Sequence, residues 1–183
     1  MTRLIALNPE EATGKTKDLF NAVQAKLGVV PNMMRTMGNS PAVLEGYLNF
    51  SGALSHGKLN AKTGELLALT VSESNSCDYC VAAHTFIGGK LLKTDPQVLH
   101  DARTGDSSDA KTAAILQFAK TLISKNGLVS NEDVNAVKNA GLSEAEIAET
   151  VAHVALNVLT NYFNNTANTE IDFPAVPALE LQK

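Results

Sequence analysis

Apolar residues recur at intervals of three and four along most of the chain, which is the period of an amphipathic helix. Near the start, Leu19, Phe20, Val23 and Leu27 form one such stripe, and Gly28 ends it. No segment alternates convincingly between apolar and polar positions, and hairpin turns flanked by such runs are missing. The pattern therefore predicts an all-α fold.

Side chains that cap helices mark where the predicted helices begin. Ser130 with Asp133, and Ser143 with Glu146, have the spacing of capping boxes. The other predicted starts are Asn8 before Pro9, Ser40 before Pro41, Asn60, Ser74 or Ser76, Thr94 to Pro96, and Ser107. The predicted ends fall at Gly28, Gly88–Gly89, Gly105, Asn126–Gly127 and about Asn164.

The chain is expected to form a single domain. Its 183 residues, 44% of them hydrophobic, are enough to bury a core. Residues 1–38 are predicted to form an N-terminal helical appendage and residues 40–174 the core. The segment IDFPAVPAL contains two prolines, so residues 171–183 are predicted to form an extended tail.

The last predicted helix carries no charged residue between Thr150 and Thr169, although a solvent-facing helix normally does. His153, Asn157 and Asn161 recur there at intervals of four and share one face. We therefore expect this polar stripe to be covered, either by the active-site region or by another subunit.

Composition argues against several kinds of partner. The formal net charge of −4 leaves no basic patch for a phosphate backbone, so we expect no nucleic-acid partner. No apolar run reaches the roughly 18 residues that a membrane span needs, and Asn8–Pro9 interrupts the N-terminal residues too early for a signal peptide. The chain is therefore expected to be soluble and cytoplasmic.

The candidate chemistry lies in ELLALTVSESNSCDYCVAAH, residues 65–84, which contains both cysteines of the chain. Cys77 and Cys80 are predicted to lie in the first turn of a helix, where unpaired N–H groups and the helix dipole favour a thiolate. Residues three apart share a helix face, so the two sulfur atoms could reach disulfide distance. In a reducing compartment such a pair is more often redox-active or metal-bound than a permanent crosslink.

Two titratable residues accompany the cysteines. His84 lies four residues beyond Cys80 on the same face, where an imidazole can exchange a proton with the Cys80 sulfur directly or through one water. Glu65 lies in an apolar run of the preceding helix, and a partly desolvated carboxylate there suits a proton shuttle. Together with the cysteines they provide the groups that a dithiol peroxidase needs. In such an enzyme one thiolate attacks the peroxide and the second thiol resolves the sulfenic acid.

The same residues could also have structural or metal-binding roles. Glu65 could be a surface residue and His84 a core histidine. The two cysteines could instead bind zinc with these two residues in a metal-binding or redox-sensing oligomer, although structural zinc sites usually take three or four Cys or His ligands.

The spacing of Glu65, Cys77, Cys80 and His84 resembles the AhpD-like alkylhydroperoxidase branch of the carboxymuconolactone decarboxylase family. The segment HVALNVLTNYFNNTANTEIDFP also looks like the closing helix and tail of single-domain peroxidase-related members. The resemblance implies an AhpD-like helical bundle that oligomerises through its core helices, as a dimer, trimer or hexamer. It also implies reduction of organic hydroperoxides, with no metal and no bound cofactor.

The resemblance further implies roles for individual residues. Cys80 would be the sulfur that attacks the peroxide, and Cys77 the more exposed, resolving sulfur. Glu65 and His84 would form the proton relay around Cys80.

Two further residues are candidates for accessory roles in the site. Some relatives carry a histidine between the cysteines, where this chain has Tyr79, a poor base near neutral pH. His153 is a hypothetical substitute for it. The implied reductant is an external dithiol, either a lipoylated or a thioredoxin-like protein. A decarboxylase acting on a muconolactone does not need the dithiol and is the second enzyme candidate.

Overall fold

The computed structural model of the protein describes residues 1–179, which form nine α-helices and one short π-helical segment. The helices are α1 (Gly14–Leu27), α2 (Asn32–Met37), α3 (Pro41–Leu54), α4 (Ala61–Ser74), α5 (Asp78–Phe86), α6 (Pro96–Thr104), α7 (Ala110–Ser124), α8 (Asn131–Asn139) and α9 (Glu144–Ala167). The π-helical segment, Ile87–Leu91, continues α5. The predicted all-α fold is confirmed across these residues.

Four of the predicted helix starts are confirmed by the expected capping bonds, and α3 begins as predicted at Pro41 without one. The predicted start at Ser107 is displaced, because Asp109 caps α7. Asn60 accepts the Thr63 N–H at the start of α4, and Asp95 accepts the Gln97 N–H at the start of α6. Both capping boxes are formed, at the starts of α8 and α9. Local side-chain chemistry therefore fixes where these helices begin.

The predicted start of the first helix at Pro9 is wrong. The Asn8 side chain accepts the Glu10 N–H, at 3.1 Å, and closes a turn over residues 9–11 instead of capping a helix. The chain then extends through Thr13, and α1 begins only at Gly14. Asparagine stabilises such turns as readily as helix starts, so the pattern alone did not separate them.

Helix α4 lies at the centre of the fold and contacts α5, α6, α7 and α9. It buries residues on several faces, and its leucines and Val71 join the larger of two core clusters. Apolar side chains of α7, among them Leu116 and Phe118, complete this cluster. A helix buried on this scale holds its side chains in fixed positions, which suits a site built on it.

The smaller core cluster surrounds the two cysteines. Phe20 of α1, Met37 of α2 and Leu44 of α3 are almost fully buried and pack in the same cluster as Cys77 and Cys80. Residues 1–38, predicted as an appendage, therefore supply part of the packing around the cysteines.

The tail predicted over residues 171–183 is described only as far as residue 179. Residues 171–179 contain no helix or strand, and the remainder of the predicted tail lies outside the described residues. Within the described part of the chain, no helix combines the length and the apolar character needed to cross a bilayer.

The part of α9 without charged residues, from Thr150 onward, is covered along its polar stripe by the chain itself. Asn157 and Asn161 are buried, and the Asn161 amide bonds to Ser72 and Asn75 at the end of α4. The opposite face of α9 exposes apolar side chains, among them Val151, Leu159 and Tyr162.

Candidate redox site

The cysteine pair begins helix α5. Ser74 is the last residue of α4, and Ser76 adopts a left-handed conformation with φ of 50° that turns the chain. Cys77 is then the N-cap residue, and its Sγ accepts the Cys80 N–H at 3.3 Å. The prediction that Ser74 or Ser76 opens this helix is therefore wrong, because the cysteine occupies the capping position itself. The predicted end at Gly88–Gly89 is also displaced, since α5 ends at Phe86 and a π-helical turn follows.

Cys77 and Cys80 are joined as a disulfide, with their Cα atoms 5.3 Å apart. This confirms that the spacing brings the two sulfur atoms together. Both residues are buried, with 0% of Cys77 and 2% of Cys80 exposed. The expectation that Cys77 is the more exposed sulfur is therefore wrong.

The burial of the cysteines has a clear structural cause. Helix α2 places Met33, Met34 and Met37 in the cluster around the disulfide, and Phe173 packs against the same cluster from the C-terminal side. We call α2 together with residues 170–173 the cover. Its two parts are tied together, because Asn32 N–H donates to the Asp172 carboxylate at 2.8 Å.

Glu65 and His84 form a hydrogen-bonded pair across α4 and α5. The Glu65 Oε2 atom lies 2.7 Å from His84 Nδ1, and both side chains are partly buried. The bond occupies Nδ1, so Nε2 is the ring atom left to exchange protons with another group. His84 lies one helical turn beyond Cys80 on α5, so the two residues share one face of that helix.

Two residues near the sulfurs were not singled out from the sequence. Asn164 of α9 donates its Nδ2–H to Cys80 Sγ at 3.4 Å. Tyr47 of α3 packs against the cysteine cluster, and burial, followed by the charge of Glu65, raises its pKa to about 12. Asn164 lies in the uncharged stretch of α9, but the sequence does not predict that its side chain contacts a cysteine sulfur.

Tyr79 faces the cover. Its hydroxyl accepts the Met33 N–H at 3.1 Å, and its ring packs edge-on against Phe173, with ring centroids 5.6 Å apart. Burial is the main cause that raises the pKa of Tyr79, and the nearby Asp172 adds to it. The hydroxyl therefore stays protonated at neutral pH and serves as a tether between α5 and the cover.

His153 lies against Gly64 of α4, with its Nε2 buried and without a hydrogen-bond partner. Burial lowers the pKa of His153, and the charges of Glu149 and Glu65 oppose that effect. Among the described residues, no hydrogen bond joins its ring to Glu65 or His84. The structure therefore does not bring His153 into that pair.

The zinc alternative gains no support from the geometry. Across residues 1–179, no group of three or more His, Cys, Asp or Glu side chains is arranged to hold a metal ion. The geometry instead shows a buried disulfide, with the hydrogen-bonded residue His84 one helical turn beyond Cys80.

The helices described above match those of solved structures over most of the chain. The AhpD core of a peroxidase-related protein from Ralstonia eutropha JMP134 is 23% identical, with a TM-score of 0.83 over 93% of this chain and 92% of that chain. A peroxidase-related protein from Silicibacter sp. TM1040 is 22% identical, with a TM-score of 0.80 over 92% and 91%. The debrominase Bmp8 is 20% identical, with a TM-score of 0.75 over 91% and 90%.

These likenesses establish the AhpD-like helical fold. Residues 41–123, which include Glu65, both cysteines and His84, match the family model of the carboxymuconolactone decarboxylase family. Over these residues the chain is similar to that family. No curated protein matches it in sequence.

Proposed function

We propose that this protein is a thiol-dependent peroxidase that reduces organic hydroperoxides with the Cys77–Cys80 pair. The observation that supports the proposal best is the Glu65–His84 hydrogen bond, one helical turn from two cysteines already within disulfide distance. A dithiol alone would serve many purposes. A paired acid and base beside it supplies the proton that a departing alkoxide needs.

The proposed reaction passes two electrons from the dithiol to the peroxide. The Cys80 thiolate attacks the outer peroxide oxygen, the O–O bond breaks, and the alkoxide leaves as alcohol after taking a proton from the Glu65–His84 pair. Cys80 is then a sulfenic acid. The Cys77 thiol attacks its sulfur, water leaves, and the disulfide forms. An external dithiol, lipoylated or thioredoxin-like, returns the two electrons in our proposal.

Reductive dehalogenation is a second candidate, because the methionine-rich and aromatic cover gives the dithiol an apolar surrounding. One solved neighbour is a debrominase, and one structure of it is a complex with 2,3,4-tribromopyrrole. A thiolate could attack an aryl bromine, the carbon taking a proton, and the second thiol would then displace bromide to form the same disulfide. A decarboxylase reaction would use neither sulfur.

We also propose that the protein is a homo-oligomer. Apolar residues exposed on α9 and α3, including Leu159 and Phe50, provide a surface that a second copy would bury.

A thiol count by intact mass tests the proposed reaction. Reduced protein treated with a small excess of an organic hydroperoxide should lose two hydrogen atoms per chain. Cys77→Ser should gain one oxygen instead, because its sulfenic acid cannot be resolved, and Cys80→Ser should not react. Glu65→Gln should slow the reaction by about 100-fold, the lower end of general-acid contributions.

Two outcomes would decide against peroxide reduction. If both thiols survive hydroperoxide but are oxidised by a brominated pyrrole, the dehalogenase candidate replaces it. If neither oxidant reacts and Cys80→Ser retains activity on a lactone, the family's acid–base chemistry is the function.

A further inference from the structure

Asn164 is the buried amide that contacts the disulfide. Only 2% of the residue is exposed, and its Nδ2–H donates to Cys80 Sγ at 3.4 Å. Its Oδ1 is also buried and has no hydrogen-bond partner. An unpaired buried carbonyl oxygen is costly, so an asparagine that only filled space here would be a poor choice.

Asn161, one turn earlier on α9, shows what a structural asparagine looks like in this chain. It is fully buried, its Nδ2–H donates to Ser72 Oγ at 3.3 Å, and its Oδ1 accepts from Asn75 at 2.9 Å. Both ends of that amide hold α9 to the end of α4. Asn164 instead directs its donor at sulfur and leaves its acceptor unpaired.

The strength of the Asn164 bond depends on the redox state of Cys80. A disulfide sulfur is a weak acceptor, whereas a thiolate carries a full negative charge and makes a charge-assisted hydrogen bond. In a buried site such a bond is stronger than in water, because the surroundings screen the charge poorly. The amide therefore favours the reduced, ionised form of Cys80 over the thiol.

We propose that Asn164 is a positioning residue that holds the reduced Cys80 sulfur as a thiolate and so makes Cys80, not Cys77, the attacking cysteine. Cys77 has its own donor, the Cys80 backbone N–H at the start of α5. The two sulfurs therefore compete for one negative charge, and the side chain of Asn164 favours Cys80. The inference rests on the proposed function only in naming Cys80 as the attacking sulfur.

The other titratable groups around Cys80 belong to three helices and the cover. They are Cys77 and Tyr79 of α5, Tyr47 of α3, Asp172 of the cover, and the Glu65–His84 pair of α4 and α5. A substitution at Asn164 leaves all of them in place. A change in Cys80 ionisation then reports the loss of the amide.

The test measures thiolate formation in reduced protein with one cysteine at a time. In a Cys77→Ala background, thiolate absorbance is followed against pH with and without Asn164→Leu, which keeps the volume but removes the donor. We expect the midpoint of Cys80 ionisation to move about one pH unit higher, and alkylation by iodoacetamide at neutral pH to slow about tenfold. Asn164→Asp should raise the midpoint of Cys80 ionisation further, because the aspartate carboxylate repels the thiolate.

Two controls separate positioning from loss of structure. In a Cys80→Ala background, Asn164→Leu should leave the ionisation midpoint of Cys77 unchanged. In the Cys77→Ala background, Asn161→Leu removes an equally buried amide from the same helix and should leave the midpoint of Cys80 unchanged. Circular dichroism confirms that each variant is folded, and Asn164→Asp provides the test if the leucine variant is not.

An unchanged Cys80 midpoint in a folded Asn164 variant would overturn the proposal. An equal rise for Cys77 would overturn it as well, because it would show a general change in the site. None of these measurements uses a peroxide, so failure of the peroxidase reaction and failure of this inference are separate results.

Discussion

Cys77 has two structural roles at one position. Its sulfur caps α5 by accepting the Cys80 N–H, and the same sulfur closes the disulfide. The cap bond does not use the S–S bond, so we expect it to survive reduction, and the positive N-terminal end of the helix would then stabilise a thiolate. Redox change at this site therefore need not unwind the helix that presents both sulfurs.

His153 gives a pH-dependent prediction at the scale of one residue. Because burial lowers the pKa of His153, the unfolded chain binds this proton more readily than the folded protein. Stability is therefore lost as the pH falls below about 6.5, the ordinary histidine value. We expect His153→Gln to lose less stability than the original protein between pH 7 and pH 5, by at most about 1.4 kcal/mol per pH unit.

Urea denaturation at both pH values measures this difference. His100→Gln, at an exposed position, controls for the removal of one histidine. Parallel pH dependences for the His153 variant and the original protein would contradict the prediction.

The sequence predicted the residues of the site that lie at fixed helical spacings. Cys77, Cys80 and His84 share one helix, so their separation along the chain determines their separation in space. Glu65 was found because a carboxylate is unusual in an apolar run. Asn164 could not be found this way, because its contact with Cys80 spans 84 positions and depends on how α9 packs.

Helix α2 is a secondary-structure element that the sequence did not predict. It has only six residues and no side chain caps its start, so its methionines, although three and four residues apart, cover less than two helical turns. Its helical form therefore depends on packing against the cysteine cluster, which local propensity does not encode. The longer helices, with capping side chains and full apolar stripes, were predicted close to their observed bounds.

The cover leads to a prediction about access to the disulfide. Tyr79→Phe removes the hydroxyl that accepts the Met33 N–H and keeps the ring that packs against Phe173. The loss of about 1 kcal/mol of net hydrogen-bond energy should raise the open population about fivefold. We expect a water-soluble phosphine to reduce the disulfide about fivefold faster in this variant.

A stopped-flow experiment that monitors the release of thiols measures the rate of disulfide reduction. Tyr162→Phe removes a hydroxyl from an exposed tyrosine of α9 and should leave the rate unchanged. Equal rates for Tyr79→Phe and the original protein would show that reductant reaches the sulfurs without opening at this contact.

At the scale of the whole molecule, α9 is enclosed on one side and open on the other. Its buried asparagines face α4 and α5 within the chain, which accounts for the polar stripe of the uncharged segment. The absence of charge on the opposite face is not explained by internal packing, because Val151, Leu159 and Tyr162 are exposed there. Helix α3, which contacts α9, also exposes Val43 and Phe50.

Burial of this face against a second copy would account for its lack of charge, and its exposed leucine provides a test. Leu159, 43% exposed, should become buried between subunits, so Leu159→Lys places an unpaired charge in the interface and should shift the protein to a monomer. Leu128→Lys adds the same charge at an 84% exposed leucine in a loop and should leave the assembly intact. Size-exclusion chromatography with light scattering gives the mass of each. A monomeric original protein would contradict the proposed homo-oligomer, and equal masses for both variants would show that Leu159 does not lie in its interface.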